Sequence, residues 1–388
     1  MDADPARSGQ RREHCDTGAA SEAVAESVGM DPVGLARALA LVRTWPGGSQ
    51  LCVIRRGEVV VDYAVHCTRD SLFMLFSAGK PLVAVLIHLL VERGALSLDD
   101  PLARHWPEYA RNGKEPITVR HVLQHRAGVP LASGTLLGDA AWMTDWTRSV
   151  RLAEQARPRW PAGQVPGYHV ITFGFLLGEV ARRVGGAPVD ELIRTELLGP
   201  VGLADIHPRL PGTLWPRHVA LRTTGGPLQR GVLTAPQLFL NRRTLRTSVI
   251  PAANAAATAR GLAGFYQMLL SGGESAGRRV LSPETVARMR EPSTAPGEKD
   301  RVLRLPIRWS QGFQLGGAGP GGERPRDHPM GALGSPETFG HNGSYYCNAW
   351  ADPTRQLVFA YTTSALAARD DAARQQCAVS DAVLSACR

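Results

Sequence analysis

The stretch "FSAGKPLVAVLIHLL", residues 76–90, sets a serine and a lysine at the mouth of an apolar run. Of the 44 basic residues only Lys80, Lys114 and Lys299 are lysines, so arginine is the default cation of this chain. A lysine three places after Ser77 is therefore more than a habit of composition. The run predicts a helix that stops at Gly94, the usual place for a C-terminal glycine. Residues three apart share a helix face, which sets Lys80 beside the Ser77 hydroxyl. The helix N-terminus offers unpaired N–H groups and a partial positive charge to a developing oxyanion. An ammonium there lowers a neighbour's pKa, or relays a proton once its own pKa falls. The pattern suits a serine nucleophile that no histidine serves. Its competitor is an N-cap serine followed by an exposed lysine.

Working outward, Asp31-Pro32 reads as a helix start, and "SQLCVIRRGEVVVDYAV" (residues 49–65) as two strands turning at Arg56-Gly57. From Asp99 to about Ile250 short helical patterns alternate with Pro- and Gly-rich loops, and residues 208–247 read as a long loop or lid. A helix follows near residues 258–273. After it come antiparallel strands in "WSQGFQL", "FGHNG", "CNAWADP" and "QLVFAYTTS", then a final helix at about 370–386. The expected fold is mixed α/β (α+β): an antiparallel sheet flanked by N- and C-terminal helices, with a mostly helical insertion. Residues 29–98 and 255–388 form the mixed domain, 99–254 the insertion, and 1–28 a disordered tail. "LGGAGPGGERP" (residues 315–325) lacks a Gly-Lys-Ser/Thr ending and reads as a mobile loop, not a phosphate cradle.

A chain of 388 residues, 44% hydrophobic and 20% charged, has an ordinary globular composition. The net charge of +9 could suit an anionic partner, but the arginines read as scattered and no nucleic-acid module is recognisable. Cys15, Cys52, Cys67, Cys347, Cys377 and Cys387 show no CxxC or zinc spacing and read as free thiols. The polar start lacks a signal-peptide core, and no segment reaches the roughly 18 apolar residues of a membrane span. The expectation is a cytoplasmic protein with no metal or cofactor, no nucleic-acid partner and no membrane partner. His121 and His125 lie four apart, but no Glu follows His121 as in a metalloprotease helix, so both read as packing or surface residues. There is no Gly-x-Ser-x-Gly elbow.

The segment from Ser77 to Pro130 resembles the serine β-lactamase and penicillin-binding-protein superfamily, most of all class C β-lactamases and their esterase relatives. Ser77-x-x-Lys80 is followed, in that family's order, by a Leu-x-Leu-Asp-x-Pro turn (Leu96 to Pro101) and a His-x-x-Gly turn (His125 to Gly128). The resemblance covers roughly residues 30–365. It implies that Tyr168, after a Pro-Gly turn, is the general base, its phenol pKa lowered by Lys80. It implies that His341-Asn342-Gly343 stands for the Lys-Thr-Gly strand, and that the N–H groups of Ser77 and Ser344 form the oxyanion hole. His169, His341, Asn342, Gly343, Tyr345 and Tyr346 are the expected substrate contacts. Val170 replaces an Asn or Ser, and His341 a permanent cation, so poor β-lactam hydrolysis is expected. Tyr345 and Tyr346 would narrow the acyl pocket.

The resemblance thus implies serine-dependent acyl transfer from a small ester or amide. Water as acceptor gives an esterase or amidase. An amine or alcohol gives a transacylase of natural-product biosynthesis, and the sequence leaves that choice open. The rival class is a binding protein that keeps the fold without the chemistry; the presence of Ser77, Lys80 and Tyr168 weighs against it.

Overall fold

The computed structural model describes residues 22–317 and 328–388. Six strands build the central sheet: β1 (Ser49–Arg55), β2 (Glu58–Val65), β3 (Gln314–Leu315), β4 (Phe339–Gly343), β5 (Cys347–Asp352) and β6 (Leu357–Thr363). Their order is β2-β1-β6-β5-β4-β3, antiparallel throughout. The two ends of the chain meet where β1 pairs with β6, Ser49 opposite Thr363 and Arg55 opposite Leu357. Arg56 and Gly57 join β1 to β2 with φ of 50° and 85°, the left-handed pair that a two-residue hairpin needs.

Side chains alternate faces along a strand, and this sheet sorts them by size. Leu51, Val53, Trp350, Phe359 and Tyr361 bury themselves with Leu35, Val42, Val379 and Val383 of the terminal helices Pro32–Thr44 and Arg369–Ser385. The opposite face carries smaller residues, among them Cys52, Ala349, Ala351 and Ala360, and the helix Ala259–Leu270 packs there. Small side chains let that helix approach closely. Each fully buried Leu, Val or Phe adds about 1.5–3 kcal/mol. Asp31 caps the first of the terminal helices, accepting from Gly34 N at 3.0 Å. Arg388 reaches back to Asp31 at 2.7 Å and ties the two ends together.

Every strand of the sheet lies within residues 29–98 or 255–388. Two expectations need correction. Residues 22–27, assigned to a disordered tail, form the helix Glu22–Ser27, because Ala25 and Val28 are buried in the sheet's outer core. Residues 1–21 of that tail lie outside the described residues, as do residues 318–327 of the glycine-rich stretch. Residues 208–247 are not a loop. They hold the turn Gly212–Arg217, the helix Pro227–Leu240 and the short helix Arg243–Thr247. The longer helix has Gly231 and Pro236 inside it and apolar residues on several sides, so no helical stripe stands out in its sequence.

Candidate active site

The apolar run forms the helix Lys80–Glu92, buried along nearly its whole length. Ser77 precedes it in the 3-10 turn Phe76–Gly79. Phe76 holds a φ of 49°, a left-handed strain that a bulky residue keeps only when its surroundings enforce it. The constraint comes from β4, which runs alongside the turn. A Cβ on Gly343 would lie 2.0 Å from the Leu75 carbonyl oxygen, so the third residue of His341-Asn342-Gly343 has to be glycine. Ser77 is half-buried while its neighbours Phe76, Ala78, Gly79 and Lys80 are buried.

Lys80 is wholly buried, and its Nζ lies 3.0 Å from Ser77 Oγ, 2.7 Å from Val170 O and 3.1 Å from Ala252 O. Burial holds its pKa well below the ordinary lysine value. Ala252 O is presented by a loop that Asn254 ties down, through Nδ2 to Leu245 O (2.7 Å) and Ser248 O (2.6 Å) and through Oδ1 from Ile250 N (3.1 Å).

Tyr168 is buried with Lys80 Nζ 4.9 Å from its ring centroid. The structure corrects its expected acidity: burial pushes the phenol pKa up, a hydrogen bond with Ser77 pulls the other way, and Asp300 adds to the rise. Lys80 is not the influence that lowers it.

Asp300, which sequence reasoning missed, organises this side of the site. Its Oδ1 accepts from the N–H of Tyr168 (3.1 Å), Val302 (2.9 Å) and Leu303 (2.8 Å), and its Oδ2 from Trp309 Nε1 (3.0 Å). Trp309 stacks on Tyr168 at 5.4 Å with planes 4° apart. His125 fills the next layer, its ring 4.9 Å from Tyr168 and 4.5 Å from Trp309, and burial keeps it neutral. Packing is thus its role, whereas His121 closes a capping box with Thr118. Gly128 ends the His-x-x-Gly turn at a φ of 75°, where a Cβ would meet Trp160 O at 2.2 Å. An isolated Asp in a polar loop carries no sequence signal that marks it for this work.

The expected substrate contacts divide. His169 is wholly buried; its N–H donates to His125 Nδ1 and its Nε2 accepts from Val129 N, both at 3.2 Å. These contacts brace the Tyr168 segment. Asn342 donates from Nδ2 to Gln314 Oε1 at 3.1 Å, across to the edge strand β3. His341 is buried, donates from Nδ1 to Asn342 O at 2.7 Å, and has its pKa pushed down to about 3 by burial. Nε2 of that neutral ring is left without a protein partner.

Ser344 and Tyr345, with φ of 51° and 63°, make the turn from β4 to β5, closed by Tyr346 N to Gly343 O at 2.9 Å. The central residues of the hairpin turn therefore follow His341-Asn342-Gly343. Tyr346 packs its ring 5.2 Å from Phe76 and joins an apolar cluster with Val170, Ile171, Phe239 and Leu240. Tyr345 instead lies under Arg369 at the start of the last helix.

Among the described residues no group of three or more His, Cys, Asp or Glu is placed to hold a metal. None of their five cysteines is in a disulfide, and none of their helices is long and apolar enough to cross a membrane.

A serine in a strained turn, a buried lysine on its hydroxyl and a tyrosine against both thus meet beside the antiparallel sheet. The family model described as Beta-lactamase matches residues 40–381, and the chain belongs to that family of serine hydrolases. It is 31% identical to the esterase/beta-lactamase LipL of Mycobacterium tuberculosis over 81% of this chain and 76% of that protein. The crystal structure of a penicillin-binding protein homolog from Caulobacter crescentus is 28% identical, with a TM-score of 0.73 over 92% of this chain and 99% of its own. EstA from Arthrobacter nitroguajacolicus Rue61a is 25% identical, with a TM-score of 0.72 over 92% and 96% of the two chains.

Proposed function

We propose that this protein transfers an acyl group from a small, uncharged ester or activated amide through an acyl-enzyme on Ser77, with neutral Lys80 as the base. The observation that carries the assignment is the set of three partners of Lys80. A neutral amine has two N–H bonds and one lone pair. Val170 O and Ala252 O accept hydrogen bonds but cannot donate them, so they take both N–H bonds. The lone pair is then left for the Ser77 O–H, 3.0 Å away. Burial favours this uncharged form.

Lys80 accepts the Ser77 proton as Oγ attacks the acyl carbon. The oxyanion is held by the N–H groups of Ser77 and Ser344. Collapse expels the alkoxide or amine, which takes a proton from the Tyr168 hydroxyl, and Lys80 returns its proton to Tyr168. A phenol kept neutral by burial suits this donor role better than the base role that the family resemblance implied. Water, an alcohol or an amine then attacks the acyl-enzyme with the same proton path reversed.

The relative named an esterase/beta-lactamase supports the ester class of donor. Neutral His341 and apolar Val170 offer no cation or amide to a β-lactam carboxylate, which favours uncharged substrates. Fluorophosphonate labelling read by mass spectrometry should mark Ser77 alone, and Ser77→Ala should abolish both label and turnover with the fold intact. Product analysis over an ester panel, with and without amine acceptors, separates esterase from transacylase. A wild-type protein that neither labels nor turns over any ester would leave the binding-protein reading standing.

A further inference from the structure

Residues 206–273 contain eight arginines and not one aspartate or glutamate, in a chain whose net charge is +9. The arginines that read as scattered are unbalanced here. Three of them find acids outside the segment: Arg209 with Asp190, Arg217 with Asp205 and Arg260 with Asp62. Arg246 is buried and donates to Leu240 O and Asn241 Oδ1, closing the end of the helix Pro227–Leu240. Arg230, Arg242 and Arg243, near the two ends of that helix, are exposed, and among the described residues none of the three is in an ion pair.

The helix between them is unusual for a water-facing element. It holds no acid, none of its described side chains is buried, and Val232 and Leu238 are 70% and 63% exposed. Its last two residues, Phe239 and Leu240, pack against the apolar cluster of Phe76, Val170 and Tyr346 that borders Ser77. Ala140 of the helix Leu136–Trp142 reaches the same cluster, and that helix exposes Leu137 (85%) and Trp142, with the Arg148 guanidinium 3.2 Å from the Trp142 ring centroid. Single exposed apolar residues are ordinary. Two helices that both expose them beside one cluster, with three arginines at hand that form no ion pair among the described residues, match the composition of an interfacial element.

We propose that this face docks the protein peripherally on an anionic lipid surface. Val232, Leu238, Leu137 and Trp142 enter the headgroup boundary, and Arg230, Arg242 and Arg243 meet the anionic headgroups. A nucleic acid would satisfy the arginines but has no use for exposed aliphatic side chains. A second copy would bring the same uncompensated charge to the contact. The expectation of no membrane partner rested on the absence of a spanning segment, which a peripheral contact does not need. Docking is independent of the acyl-transfer reading, so Ser77→Ala should bind as the parent does.

The test is co-sedimentation of the full chain and of Ser77→Ala with phosphatidylcholine vesicles, with and without phosphatidylglycerol, at low and high salt. Binding is expected to the anionic vesicles alone and to weaken with salt. Combined Arg230→Glu, Arg242→Glu and Arg243→Glu should lower the partition about tenfold or more. Val232→Ser with Leu238→Ser should lower it severalfold with Tm unchanged. Absent binding of the parent, or variants that bind as well as the parent, overturns the proposal. Retardation of an oligonucleotide without vesicle binding overturns it in favour of a nucleic acid. A parent dimer lost in the serine variant overturns it in favour of self-association.

Discussion

Two buried lysines in this chain do opposite work. Lys80 and Lys114 are both fully buried and both contact three oxygens. Lys114 Nζ donates to Arg111 O (2.7 Å), Glu154 O (2.8 Å) and Ala156 O (2.6 Å), all carbonyls. Three acceptors that cannot give a proton back suit an ammonium, and burial moves its pKa down only to about 8. At Lys80 one of the three carbonyls is replaced by the Ser77 hydroxyl, and burial drives the pKa well below its ordinary value. A single exchanged partner separates a structural pin from a proton acceptor. The scarcity of lysine thus flagged both positions, and only the partners tell which is chemical.

Substitutions at the two sites should part company. Lys80→Ala is expected to lower kcat by about three orders of magnitude or more, because it removes the base, and to cost some stability as well, since Val170 O and Ala252 O lose their donor. Lys114→Ala should leave kcat of the folded enzyme within a few-fold. It should cost about 3 kcal/mol of stability, since three buried carbonyls lose their donor. Steady-state kinetics beside urea unfolding checks both, and a Lys114→Ala protein that folds well but is as dead as Lys80→Ala would erase the distinction.

The pH profile sharpens it. Lys80 works uncharged, so kcat/KM should fall as pH drops through its depressed pKa and should stay high toward the alkaline side until other groups titrate. Tyr168→Phe should cost about two to three orders of magnitude in kcat and leave that acid limb in place. Lys80→Ala combined with Tyr168→Phe should lose little more than the worse single change, as members of one proton path do.

Asp300→Ala should have a smaller effect. Releasing the Tyr168 backbone and the Trp309 indole lets the phenol drift, and a misplacement near 1 Å costs about 10²-fold in kcat. KM should hold nearly constant. Loss of stability with normal kcat in the surviving folded protein would reduce Asp300 to a structural residue.

Val170→Asn with His341→Lys should have the least effect. It restores a polar group and a cation, and kcat/KM for nitrocefin relative to p-nitrophenyl acetate should rise by about tenfold or less. A parent enzyme that already prefers nitrocefin would contradict the reading of both positions.

Much of this was readable before any coordinates. The β1–β2 hairpin followed from Arg56-Gly57, the nucleophile helix from its apolar run and Gly94, and the Ser77-Lys80 pair from spacing alone. What escaped depended on partners distant in sequence. Asp300 acts 132 residues from Tyr168, and the rise in the Tyr168 pKa comes from burial that no local pattern records. His169 looked like a substrate contact because it adjoins Tyr168, yet its ring turns inward to Val129. The helix Pro227–Leu240 reads as a loop in the sequence because Gly231, Pro236 and an all-round apolar surface hide its periodicity.

With only three lysines in the chain, ¹³C labelling at lysine Cε gives each its own NMR signal, and substitution of Lys80 and Lys114 assigns them. Titration of the wild-type protein from acid to alkaline pH then reads the charge of each amine directly. Lys114 is expected to titrate near 8, and Lys80, whose pKa burial holds well below the ordinary lysine value, to lose its charge at a lower pH than Lys114. A Lys80 signal that stays at the ammonium position through the Lys114 transition would contradict the assignment of Lys80 as the base.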